Sequence, residues 1–231
     1  MLNQIKNELL LVSDRERAKK LSSFFKTEKG EYGEGDVFLG ISVPQQRKVA
    51  KKYTDLPLNQ IKKLLSSKFH EYRLTALIIL VLKYGKADYL KKKEIFDFYL
   101  ENTEFVNNWD LVDLSSPKIV GDFLITNDRS ILFDLVNSDN LWERRIAVLA
   151  TFYFIRNDDF EDALSISKLL ISDSHDLIHK AVGWMLREIG KRNKNVLKNF
   201  LNKYYKQMPR TMLRYSIEKF NEEERKHYLT K

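Results

Sequence analysis

The 231-residue chain contains no cysteine, only four prolines and only eight glycines. Without cysteine there is no disulfide, no thiol nucleophile, no cysteine-bound zinc and no iron–sulfur cluster. No apolar run approaches the roughly 20 residues that a membrane span needs, so no membrane partner is expected. The start, Met1 to Glu8, lacks the basic-then-apolar order of a secretory signal, and with zero cysteine the expected setting is cytoplasmic. Hydrophobic residues at 43% and charged residues at 31% exclude wholesale disorder, and the length suits one domain spanning residues 1–231. What the chain does have is base: 40 Lys plus Arg against 32 Asp plus Glu, a formal charge of +8 and a pI near 9.4. Such a surplus favours polyanion partners through counterion release, although it is spread along the chain and many soluble proteins are equally basic.

Periodicity reads as helix almost throughout, with no convincing alternating strand. Leu74, Leu77, Ile78, Val81 and Leu82 recur at spacings of three and four, as do Ile146, Leu149, Ala150 and Tyr153. Pro44 after Ser42, Pro57, Gly85, Gly121 and Gly190 fall where helices should start or stop. The cluster from Gly30 to Asp36 reads as a mobile loop, because no strand precedes it and acidic residues crowd it. Helices with a polar first turn and an apolar continuation recur at Glu71–Ala76, Trp142–Ala147 and Leu177–Val182. Aligned on Ala76, Ala147 and Ala181 they are spaced by 71 and 34 residues, close to one or two units of about 34 to 36 residues. The expected fold is therefore all-α, a HEAT-like or ARM-type helical-repeat superhelix whose concave, basic face is the binding surface.

Trp109 and Asp113 lie four residues apart, so on a helix they share a face, and an indole beside a carboxylate favours a cation held between them. An alkylated purine is such a cation. Each residue also has a plainer reading: Asp113 suits capping of a helix starting after it, at Ser115, Ser116 and Pro117, and a tryptophan usually packs. Trp142, with no such partner, reads as packing. Arg144 and Arg145 point about 100° apart on a helix, so at most one faces a binding surface directly. Arg187 lies one turn after Trp184 and Lys180 one turn before it, both suited to phosphate. Arg47, Lys48, Lys51 and Lys52 give a basic helix face after Pro44, and Arg210 with Arg214 give another. His175 and His179 imitate half of a zinc motif, but Asp176 replaces the glutamate and no third ligand is evident; a polar first turn explains them.

Four blocks in order carry a family resemblance: Phe38–Pro44, Asn108–Asp113, Trp142–Ala147 and Lys180–Glu188. Together they resemble the AlkD-type DNA alkylation repair glycosylases, over about Phe24 to Arg192. The resemblance implies release of N3- or N7-alkylated purines (3-methyladenine, 7-methylguanine) from double-stranded DNA, with no metal or cofactor and without a closed base pocket. It also implies catalytic roles for Asp113, Trp109 and Trp184 and a phosphate clamp at Arg145. Phe25 would stand where the family can bring a hydroxylated aromatic to DNA, which puts that hydrogen bond in doubt. The chemistry fits the residues: the alkylated base leaves without protonation while positive charge gathers on the sugar. A carboxylate about 4 Å away is worth roughly 4 kcal/mol at an effective dielectric near 20, against about 0.5 to 2 for a cation–π contact, which puts Asp113 ahead of the tryptophans. A catalytically silent DNA-binding helical-repeat protein, recognising bent, branched or damaged DNA, is the alternative of a different class, and a protein-binding scaffold a weaker one. A monomer without an obligate protein partner suffices for either DNA-directed reading.

Overall fold

The computed structural model describes residues 1–230, and among these every regular element is helical; the one β pairing is an isolated parallel bridge between Val37 and Phe69. The all-α expectation holds. No helix is long and apolar enough to cross a membrane among the described residues. The chain divides into two compact units, Met1–Ser115 and the segment from Ser116 onward.

The first unit contains α1 (Leu2–Leu10), α2 (Arg15–Phe24), α3 (Val43–Ala50), α4 (Leu58–Leu65), α5 (His70–Tyr84), α6 (Tyr89–Leu100) and most of α7 (Trp109–Ser116). Its centre is α5, against which α3, α4 and α6 pack. Every residue of α5 from His70 to Leu80 is buried, which explains why its apolar stripe widens to the whole circumference. The start of α3 follows the expected signals: Ser42 and Gln45 form a capping box and Pro44 sits in the first turn, where its missing N–H costs nothing. Likewise α4 begins directly after Pro57 and α5 ends at Gly85.

Between α2 and α3 the chain from Lys26 to Ser42 has no helix, as the glycine cluster suggests, and its last part is anchored. The carboxylate of Glu71, at the head of α5, accepts the backbone N–H groups of Leu39 (2.9 Å), Gly40 (2.7 Å) and Ile41 (3.2 Å). Gly40 has φ +80°, and a Cβ there would lie 1.9 Å from the Asp14 carbonyl oxygen, so only glycine fits. The Phe38–Pro44 block is thus an anchor of the first unit.

The second unit contains α8 (Asp122–Leu124), α9 (Ser130–Val136), α10 (Leu141–Arg156), α11 (Glu161–Leu169), α12 (Asp176–Arg192), α13 (Lys194–Tyr204), α14 (Arg210–Ser216) and α15 (Glu222–Leu229). Here α10 and α12 pack against each other, α12 also meets α13 and α14, and α10 meets α9 and α11. Ala76, Ala147 and Ala181, the residues that align the sequence rhythm, are fully buried in α5, α10 and α12. Each of these long helices follows a shorter one, as a two-helix repeat requires.

Two glycines read as helix stops are not stops. Gly121 lies inside a helical run in which α7 continues through a π-helical turn (Pro117–Gly121) into α8, and a Cβ there would meet the Ala150 carbonyl oxygen at 2.4 Å. Gly190 lies inside α12, where a Cβ would meet Leu197 of α13 at 2.4 Å. Both let neighbouring helices approach closely.

Candidate functional site

In the first unit the candidate residues are built on the head of α7. The backbone N–H of Trp109 donates to the Asn108 side-chain oxygen (2.8 Å), and that amide's nitrogen donates in turn to Asp36 (3.1 Å). The half-buried indole of Trp109 stacks on Phe25 (centroids 5.1 Å, planes 10° apart), and Phe24 stands edge-on to it at 6.0 Å. Phe25 stacks in turn on Phe38 at 5.0 Å and lies against His70. One indole face is therefore covered, and Trp109 has a defined plane.

Asp113 lies one turn further along α7 and is half-buried. It does not cap a following helix, because the helical run continues through Pro117 to Leu124. The π-helical turn accommodates the ring and missing donor of Pro117, where an α-helix would break. The buried phenol of Tyr99 bonds to Ser115 at 3.0 Å; burial pushes its pKa well above the usual range, the Ser115 bond opposes this, and the Asp113 charge adds to the rise.

Beneath Trp109 lies a polar cluster that the sequence pattern does not reveal. His70 is 2% exposed, with Nδ1 3.0 Å from Asp36 and Nε2 2.9 Å from Asp110, the residue after Trp109. Buried Arg73 also pairs with Asp36 and donates to the Ser67 carbonyl at 2.9 Å. Burial pushes the Asp36 carboxyl up, yet the hydrogen bond from His70 and the charges of Arg73 and His70 outweigh it and hold the group below its ordinary value. At the sequence level, Glu71 and Arg73 read only as part of a polar first turn, and nothing there marks His70.

In the second unit Trp184 is half-buried, its indole N–H bonded to Glu188 at 3.1 Å and its ring 5.7 Å from Phe152. The arginines differ from expectation. Arg145 is 4% exposed and donates to the Leu177 carbonyl at 2.6 Å, so it joins α10 to α12 and is not placed to clamp a phosphate. Arg144 is spent on buried Asp173 (2.8 Å) and on the carbonyls of Ser138 and Asp139. The reason is packing: both sit at the head of a central helix, where neighbouring helix ends supply carbonyls and an acid. Arg187 pairs with Glu218, and Lys180 with Asp176 at 2.7 Å. Trp142 is buried, as read. His175 accepts the Leu177 N–H as the cap of α12, and His179 bonds to the Asp173 carbonyl, which accounts for the pair without a metal.

Phe25 also departs from expectation. At 7% exposure its ring is walled in by aromatic neighbours, and the exposed ring at this edge is Phe24, at 64%. In a helix-ending Phe-Phe pair only the fold decides which ring turns inward. Arg47 and Lys48 on α3 are exposed as expected.

A family model described as DNA alkylation repair enzyme matches residues 5–220. The chain belongs to the DNA alkylation repair enzyme family. No curated protein matches its sequence. Among solved structures, the chain is similar to one described as a predicted DNA alkylation repair enzyme from Enterococcus faecalis, at TM-score 0.71 and 18% identity over 91% of this chain and 97% of the other. It is also similar to AlkD2 from Streptococcus mutans, at TM-score 0.57 and 20% identity over 96% and 97%. At these identities the likeness establishes a shared fold, and the helical-repeat class read from the sequence stands. Membership in this family makes the chain a DNA repair protein with DNA as its partner.

Proposed function

We propose that this member of the DNA alkylation repair family is a monofunctional glycosylase that hydrolyses the N-glycosidic bond of N3- and N7-alkylated purines in duplex DNA, without drawing the lesion into a closed pocket. The observation that supports it most is the placement, one turn apart on α7, of half-buried Asp113 and an indole stacked on Phe25. As the bond from C1′ to the purine nitrogen breaks, its electron pair goes to the base and neutralises it. The sugar is left with positive charge, which the fixed anion of Asp113 stabilises. Water then adds at C1′, oriented by the same carboxylate, and its proton passes to solvent. Since the base departs neutral, the step asks for neither a metal nor a general acid.

Trp109 supplies π density to the cationic nucleotide. Arg47 and Lys48 meet phosphates of the duplex from α3. In the second unit, Trp184 packs on the sugar–phosphate backbone, and Arg187 and Lys180 exchange Glu218 and Asp176 for phosphate, surface ion pairs being worth little in water. No partner protein is needed. The test is to incubate the protein with methylated duplex DNA and identify the free base. Release of 3-methyladenine and 7-methylguanine is expected. Tight binding without release would instead support a silent DNA-binding protein, and neither property would overturn both.

A further inference from the structure

The buried imidazole of His70 takes no part in the proposed chemistry. Each of its ring nitrogens faces a carboxylate oxygen within 3.0 Å, Asp36 on one side and Asp110 on the other. A carboxylate only accepts hydrogen bonds, so both contacts are satisfied only when both nitrogens carry a proton. The groups around the ring are accounted for. Asp36 accepts further bonds from Arg73 and Asn108; the rings of Phe25 and Phe38 lie against the imidazole; and the neighbouring Glu71 carboxylate is turned to the backbone N–H groups of Leu39 to Ile41. Burial disfavours the charged ring, but the Asp110 charge and the bonds to Asp110 and Asp36 outweigh it and the repulsion from Arg73, raising its pKa from 6.5 to about 9. With His70 doubly protonated, Asp36, Asp110, His70 and Arg73 sum to zero charge, and loss of the ring proton leaves the cluster at −1. Asp110 lies in the first turn of α7, beside Trp109 and one turn before Asp113.

We propose that His70, doubly protonated, is a positioning residue: it latches the first turn of α7 to the Asp36 loop, so setting the Trp109 ring and the Asp113 carboxylate, and frees that turn on losing a proton. The activity arm of this inference rests on the proposed base excision; the structural arm does not.

The test uses nitrogen NMR of the imidazoles and indoles in the full chain, with H70Q assigning the His70 signal and W109F the Trp109 signal. At pH 7.5 both His70 nitrogens should be protonated, and the Trp109 indole signal should move with the same alkaline midpoint as His70. Asp110→Asn removes one carboxylate of the latch and should carry both midpoints to lower pH together, which a merely structural residue would not do; it also keeps the test open if H70Q fails to fold. In single-turnover release from methylated duplex, the rate should fall across that midpoint, and Asp110→Asn should be about tenfold slower or worse at pH 8, as ångström-scale misplacement is. A neutral His70 at pH 7.5, an indole signal that ignores its titration, or a release rate flat across its midpoint would each overturn the latch. Coupled midpoints with no base released at any pH would leave the latch standing and sink the excision reading.

Discussion

Asp113 and Arg145 are both ionisable side chains on helices, and the fold treats them oppositely. Asp113 is half-buried one turn from Trp109, whereas Arg145 is buried and donates to the Leu177 carbonyl. That Trp109 and Asp113 lie one turn apart on a single helix was legible from their spacing and apolar neighbours. The fate of Arg145 was not, since it depends on a carbonyl 32 residues away that no local pattern announces. The choice between Phe24 and Phe25 was hidden for the same reason. Arg145→Ala should therefore cost about 3 kcal/mol in urea unfolding, because a buried carbonyl loses a charged donor. Weakened DNA binding at unchanged stability would mean that the guanidinium faces DNA after all.

Among the elements, the segment before α3 and the head of α5 are the most tightly specified. Glu71 satisfies three consecutive backbone donors, and Gly40 has room for nothing but hydrogen. Gly40→Ala should destabilise the protein by about 2 kcal/mol or more, through both its left-handed φ and the clash with Asp14. Glu71→Gln should cost a similar amount, roughly 1 to 3 kcal/mol, since an amide oxygen cannot replace a carboxylate shared by three N–H groups. Thermal or urea unfolding checks both, and a loss below half a kcal/mol would mean that this anchor is dispensable. Helix starts at Pro44 and Pro57 were readable because proline and capping residues act locally. Gly121 and Gly190 were misread because a glycine needed for close helix contact looks in sequence like one that ends a helix.

For the whole molecule, the helical-repeat class was visible in the apolar period and in the spacing of Ala76, Ala147 and Ala181, all three buried as that spacing implies. The buried charge cluster was invisible, since residues from three separate segments assemble it. It makes global stability depend on pH. His70 has its pKa raised on folding from 6.5 to about 9, so its contribution is full below pH 6.5 and drains away as the pH rises to about 9. Urea midpoints should fall over that window in the wild type and stay flatter in H70Q; equal slopes would remove His70 as the cause. DNA affinity should fall steeply with salt, and Arg47→Ala and Lys48→Ala should each lower the slope by about one ion. The most direct measurement is the single-turnover rate of base release from methylated duplex by the wild type and by Asp113→Asn, with DNA affinity measured alongside. A fixed anion worth roughly 3 to 4 kcal/mol at the sugar makes the variant about a hundredfold to a thousandfold slower at unchanged affinity. A variant within about threefold of the wild-type rate would contradict a catalytic role for Asp113.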